Sequence, residues 1–192
     1  MLRSRTIVLV VGGWLVAAVG LGAVGVLRTL RPPAPQLILV ALTVLLLAAA
    51  WRVAGLRAWL AAIDLRWLVG LHLTRFVGAY FLYLYRHGAL PYEFAVPGGW
   101  GDITVASLAA LLLLGGPPRT AWRRAYAVWN VLGAADILFV VAAATRLWVA
   151  DPASMAALLH LPLSLLLTFL VPLIIASHVV LAVRLTRAAT PR

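Results

Sequence analysis

Four ionisable side chains, His72, Arg75, Asp136 and His178, stand inside long apolar runs. An unpaired charge in hydrocarbon is costly, so each of them is a candidate for function. His72 follows Arg66 by six residues on a span rising away from the basic edge, and His178 precedes Arg184 by six on a span returning to it. At 1.5 Å per residue, both imidazoles are expected about 9 Å inside the same edge of the hydrophobic layer. Two neutral imidazoles at one depth on different helices have the spacing to clamp a haem iron (haem b chemistry) from both faces, each oriented through its second nitrogen. They also suit a single transition-metal ion, although two histidines alone make a weak site. For the haem, Gly70 and Gly78 would give packing room, and Arg66 and Arg184 would face the propionates. The alternative is structural: each histidine hydrogen-bonds a neighbouring helix through Asn130, Thr74 or Ser177.

Arg75 lies three residues beyond His72, on the same helix face. Asp136 should sit near the same mid-membrane level, with Asn130 in its span. An arginine and an aspartate at one depth most simply neutralise each other. The functional version is a relay in which Asp136 changes protonation as Arg75 swings away. Asp102 opens the next apolar run after Gly98-Gly99-Trp100-Gly101, where a carboxylate complements a helix N-terminus. In a functional reading Asp102, Glu93 and His87 surround an outer vestibule, with Tyr92 and Trp100 at its entrance. No serine–histidine–acid set or His-Glu-x-x-His pattern occurs, and Ser107, Ser154, Ser164 and Ser177 lack a glycine frame. The residues therefore supply no catalytic set, and an enzyme is not expected.

These side chains need elements to hold them. Of the 192 residues, 65% are hydrophobic and 11% charged, which excludes an ordinary soluble domain and a disordered chain alike. The absence of cysteine removes disulfides and thiolate metal sites. With about 20 apolar residues needed per crossing, six spans are expected, at residues 6–27, 36–53, 66–85, 102–116, 125–149 and 163–184. The fold class is an all-α integral membrane bundle forming one domain over residues 1–192. Arg3 and Arg5 precede the first span like the start of a signal peptide. Its apolar run is too long for one and ends in Arg28 and Arg31-Pro32-Pro33, so it reads as a retained span. Gly13, Ala17, Ala18 and Gly22 allow that span a close packing partner. A Gly/Pro-rich loop over residues 87–101 separates spans three and four, its prolines and glycines arguing against a regular helix. Asp151-Pro152 marks the start of a short outer interfacial helix carrying Met155, Leu158 and Leu159, with His160 at the interface. Pro172 is expected to kink the last span.

The formal charge of +11 comes with 16 basic residues, all arginine. Eleven of them fall near the N-terminus, the second–third loop, the fourth–fifth loop and the C-terminus, against Arg28, Arg31, Arg86 and Arg146 opposite. Positive residues stay cytoplasmic, so both termini are expected inside a bacterial inner membrane. The excess charge is then a topology signal, and nucleic acid is excluded as a partner because no soluble basic module carries it.

The stretch HLTRFVGAYFLYLYRHGALPYEFAVPGGWGDITVA, from His72 to Ala106, resembles uncharacterised bacterial multi-pass membrane proteins. The residues that carry the likeness are His72, Arg75, Gly78, Pro91, Phe94, Ala95 and Gly101-Asp102. Trp129-Asn130, Gly133, Asp136, Pro172 and His178 belong to the same pattern. The resemblance implies no activity. The leading expectation is a haem- or metal-binding redox-type subunit with ligands His72 and His178. A small proton-coupled transporter using Arg75, Asp136 and Asp102 stands second, and a structural partner subunit third. The expected partners are the lipid bilayer and a second membrane protein or copy.

Overall fold

The computed structural model describes residues 4–116 and 122–187. Every regular element among them is helical, a form in which the backbone satisfies its own hydrogen bonds without help from the surroundings. Six stretches are long and apolar enough to cross a bilayer: Ser4–Ala23, Ala34–Arg52, Leu65–Arg86, Tyr92–Gly115, Arg123–Ala150 and Leu166–Arg187. Arg3, Arg119, Arg192 and the Pro117-Pro118 stop lie outside the described residues. The chain divides into two compact units, the described residues of Met1–Ile63 with Leu147–Ala176, and those of Asp64–Arg146 with the chain from Ser177 onward.

In the first unit, α1 (Ser4–Ala23) is followed by a 3-10 turn at Val26–Thr29, so the first span stops short of residue 27. Gly25 between them has φ 75°, a left-handed conformation that favours glycine. Helix α2 (Ala34–Arg52) passes at Val53 into α3 (Ala54–Ala62), a helix where the sequence had read a connecting stretch. A Cβ on Gly22 would meet Ser164 Oγ at 2.7 Å and Leu161 at 2.9 Å, so this small residue packs within the chain. Gly13 has nothing within 4 Å. The expected interfacial helix is instead a turn and a short 3-10 segment, Ala156–Leu159. Asp151 Oδ1 does accept the Ala153 and Ser154 amides, but Met155, Leu158 and Leu159 are buried in the protein. They pack inward because three large apolar side chains gain more from contact than from an interface.

The last span begins with a π-turn, Leu166–Leu170, that runs into α8 (Val171–Arg187). Pro172 has no N–H to give to the Thr168 carbonyl four residues back, and a wide turn adjusts the ladder there. The indole Nε1 of Trp14 donates to that carbonyl at 3.0 Å, and its ring meets Phe169 edge-on at 4.7 Å. Trp14→Phe keeps the ring contact and is expected to cost about 0.5–1.5 kcal/mol, the net value of one hydrogen bond. In a Pro172→Ala background, where the helix supplies its own donor, the loss should shrink. Thermal melting of the four proteins in detergent measures the coupling.

The second unit holds the candidate site. Its third span is α4 (Leu65–Leu71), a 3-10 stretch (His72–Val77) and α5 (Gly78–Arg86). Asp64 caps the start through the Arg66 amide at 2.9 Å. Helix α6 runs from Tyr92 to Gly115, ten residues longer at its start than the sequence indicated. Only residues 87–91 are loop; Pro97, Gly98, Gly99 and Gly101 lie inside the helix. Pro97 is the sixth residue of α6, so the Glu93 carbonyl lacks its usual donor four residues on, and the glycines are there for contact. Gly99 packs directly on Gly78: a Cβ on Gly78 would strike the Gly99 carbonyl, and one on Gly99 would lie 2.8 Å from the Gly78 carbonyl. Small residues facing each other let two membrane helices approach backbone to backbone.

Helix α7 (Arg123–Ala150), as far as Arg146, completes the unit with the part of α8 from Ser177 onward. The carbonyls at the end of α6 have no partners in their own helix. Arg66 Nη2 donates to the Leu113 carbonyl at 2.6 Å, and the Tyr126 hydroxyl to those of Leu112 (3.2 Å) and Gly116 (2.8 Å). Around them Val69, Val105, Ala109, Trp129 and Leu181 form a buried apolar core.

Candidate functional site

The 3-10 winding of His72–Val77 has three residues per turn, so His72 and Arg75 project from one side. Both are buried, at 0% and 1% exposure. The Arg75 guanidinium is shared among three acceptors. Nε donates to Asp102 Oδ1 at 2.6 Å, Nη1 to the Gly133 carbonyl at 3.0 Å, and Nη2 to Asp136 Oδ2. Asp102 comes from α6, and Gly133 and Asp136 from successive turns of α7. The Asp102 side chain is 5% exposed and that of Asp136 19%, so one carboxylate is enclosed and the other reaches an edge. Glycine makes this crowding possible. A Cβ on Gly101 would collide with the Asp136 carboxylate, and one on Gly78 would come within 2.8 Å of Asp102 Cβ.

Asp102 thus leaves the outer vestibule where the sequence placed it. With α6 starting at Tyr92, it is a mid-helix residue, and the helix N-terminus it was expected to complement lies ten residues earlier. Glu93 occupies that first turn and is exposed, as is His87, whose Nδ1 meets the Tyr83 carbonyl at 2.8 Å. Neither approaches Asp102 through a hydrogen bond or ion pair.

The two histidines meet, with ring centres 4.3 Å apart and ring planes 53° to each other. Trp129 packs edge-on against His72 at 4.9 Å and donates its Nε1 to the Val105 carbonyl. His72 Nε2 is 2.9 Å from Ser177 Oγ. Asn130 Nδ2 donates to the His178 carbonyl at 3.2 Å, which turns Oδ1 toward His178 Nδ1 at 2.8 Å. An amide oxygen only accepts, so His178 carries its proton on Nδ1. Thr74, the other partner weighed, bonds its own helix at the Leu71 carbonyl. His72 Nδ1 and His178 Nε2 are buried without hydrogen-bond partners.

That geometry decides which groups the pair fits. Metal–imidazole bonds are about 2.0–2.1 Å, so an axial pair holds its ring nitrogens about 4 Å apart and its ring centres farther still. Rings centred 4.3 Å apart are in contact and leave no slot for a haem between them. A single ion in line between them meets the same obstacle, and no group of three or more His, Asp or Glu suited to a metal occurs among the described residues.

Gly133 and Gly101 are the members of this site that the sequence reading gave no role. Gly133 is one turn before Asp136, where a Cβ would lie 2.7 Å from His178 Cε1. Its carbonyl serves Arg75 while its missing side chain admits the imidazole.

The model of a domain of unknown function, DUF8737, matches residues 32–186. The chain belongs to this family. The matched part of the DUF8737 protein contains all of α2 to α7 and every residue of the site, and leaves α1 outside. No curated protein and no solved structure matches the chain.

Proposed function

We propose that this DUF8737 protein is a proton-coupled transporter of the bacterial inner membrane, with the Arg75–Asp102–Asp136 cluster as its proton-binding switch. The supporting observation is that one guanidinium is bound by two carboxylates from different helices. Neutralising Arg75 takes one carboxylate. The second adds a negative charge within the apolar layer, which a proton or another cation removes. Of the two, Asp136 reaches the edge, so it is the one that takes up and releases the proton, while Asp102 holds Arg75 in place. Protonation of Asp136 frees Arg75 Nη2 from its charged partner, and the change is passed to α7. The arginine distribution supports an orientation with both termini cytoplasmic. A haem- or metal-centred role has weaker support, because the two imidazoles pack on each other.

The test is proton flux into proteoliposomes under a potassium diffusion potential, read with an entrapped pH dye. Asp136→Asn keeps the Arg75–Asp102 pair and is expected to fold while lowering flux at least tenfold. Unchanged flux in that variant, or none in the unaltered protein, would refute the reading.

A further inference from the structure

On one side of the second unit α7 and α8 leave a groove of about 490 Å³, within the roughly 300–1,000 Å³ usual for small-molecule sites. Its α7 wall is Arg123, Ala127, Asn130 and Val131, which share a face at helical spacing. Its α8 wall is Ala182, Leu185 and Thr186. Ala127 and Ala182 end at Cβ, so the helices diverge into a notch where larger residues would have closed it. The notch is apolar along its length and basic at its mouth. Arg124 there is exposed, and Arg123 donates from Nη2 to the Leu185 carbonyl at 2.7 Å. No carboxylate lines it among the described residues.

We propose that this groove binds one acyl chain of an anionic phospholipid, with the headgroup phosphate at Arg124 and Arg123. Charge complementarity selects the occupant: a chain with a negative head matches apolar walls ending in guanidinium groups, which pair readily with phosphate. Both walls belong to helices apolar enough to span a bilayer, so the groove opens where lipid is the solvent. The chain would also cover Asn130, which lines the groove and holds His178. A bound lipid therefore seals the polar interior on this side. The inference does not depend on the proton-coupled reading.

Native mass spectrometry of delipidated protein, with phosphatidylglycerol or phosphatidylcholine of identical chains, tests it. Phosphatidylglycerol should be retained at least tenfold better. Arg124→Gln should erase the preference and Arg124→Lys should keep most of it. Ala182→Leu, at an exposed position where folding is unaffected, should fill the notch and lower retention of both lipids. Equal retention of the two lipids by the unaltered protein would overturn the proposal. So would a preference that survives Ala182→Leu, which would put the lipid outside the groove. Displacement of phosphatidylglycerol by millimolar inorganic phosphate would assign the arginines to a soluble anion instead, and also overturn it.

Discussion

Arg75→Gln is expected to abolish the folded protein in detergent. The substitution removes the guanidinium that binds both Asp102 and Asp136 and leaves the two carboxylates without it in an apolar layer. Breaking a buried ion pair by deleting one partner typically costs about 3–5 kcal/mol, a large share of the roughly 5–15 kcal/mol that holds a protein folded. Here two acceptors are stranded, and the Gly133 carbonyl loses its donor as well. The loss should be recovered in steps. Arg75→Gln with Asp136→Asn still strands Asp102 and should regain little. Adding Asp102→Asn removes every charge and should restore most of the folded fraction, because neutral amides can hydrogen-bond in the same space. In the unaltered background Asp102→Asn should cost more than Asp136→Asn, since its side chain is the more enclosed of the two. Size-exclusion profiles and melting temperatures of the series give the answer. A normal melt for Arg75→Gln would show that the cluster contributes nothing to the fold.

Gly78→Val should come close to the same severity by a different route. Its first added carbon already strikes the Gly99 carbonyl and lies 2.8 Å from Asp102 Cβ, and both are fixed in α6. Overpacking commonly costs about 1–3 kcal/mol. Backbone is the obstacle here, so the upper part of that range is expected, with α5 forced away from α6. Gly70→Ala is the internal control. Nothing lies within 4 Å of a Cβ there, and replacing a helical glycine gains about 0.5–1 kcal/mol of backbone entropy. Its melt should equal or exceed that of the unaltered protein. Gly101→Ala separates the two roles of the cluster. It evicts the Asp136 carboxylate but leaves the Arg75–Asp102 bond, so it should fold and lose proton flux as Asp136→Asn does. Equal melts for Gly78→Val and Gly70→Ala would contradict the tight α5–α6 contact.

The spans were legible because twenty apolar residues in a row have few other uses, and the depth arithmetic brought His72 to His178 and Arg75 to Asp136. What the sequence hid came from one reading of glycine and proline. In water Pro97-Gly98-Gly99 breaks a helix; between membrane helices the same residues permit contact, and an apolar surrounding stabilises the helix despite them. Taking them as a break displaced the start of α6, and put Asp102 at a helix end when it lies mid-helix. Burial of Met155, Leu158 and Leu159 was hidden for a related reason. Apolar faces look alike in a sequence whether they meet lipid or protein.

The 3-10 stretch at His72–Val77 has a consequence for the whole third span. Each of its six residues advances about 2.0 Å and turns about 120°, where an α-helix advances 1.5 Å and turns 100°. The span is therefore about 3 Å longer than an unbroken α-helix of the same residues. Its far end is also out of phase with its near end by about 120°. One stripe of contact residues on α4 thus continues on α5 as a different stripe, a third of the circumference away. A single helical wheel drawn through residues 65–86 would misassign one half or the other, and only two wheels, joined at Arg75, describe it.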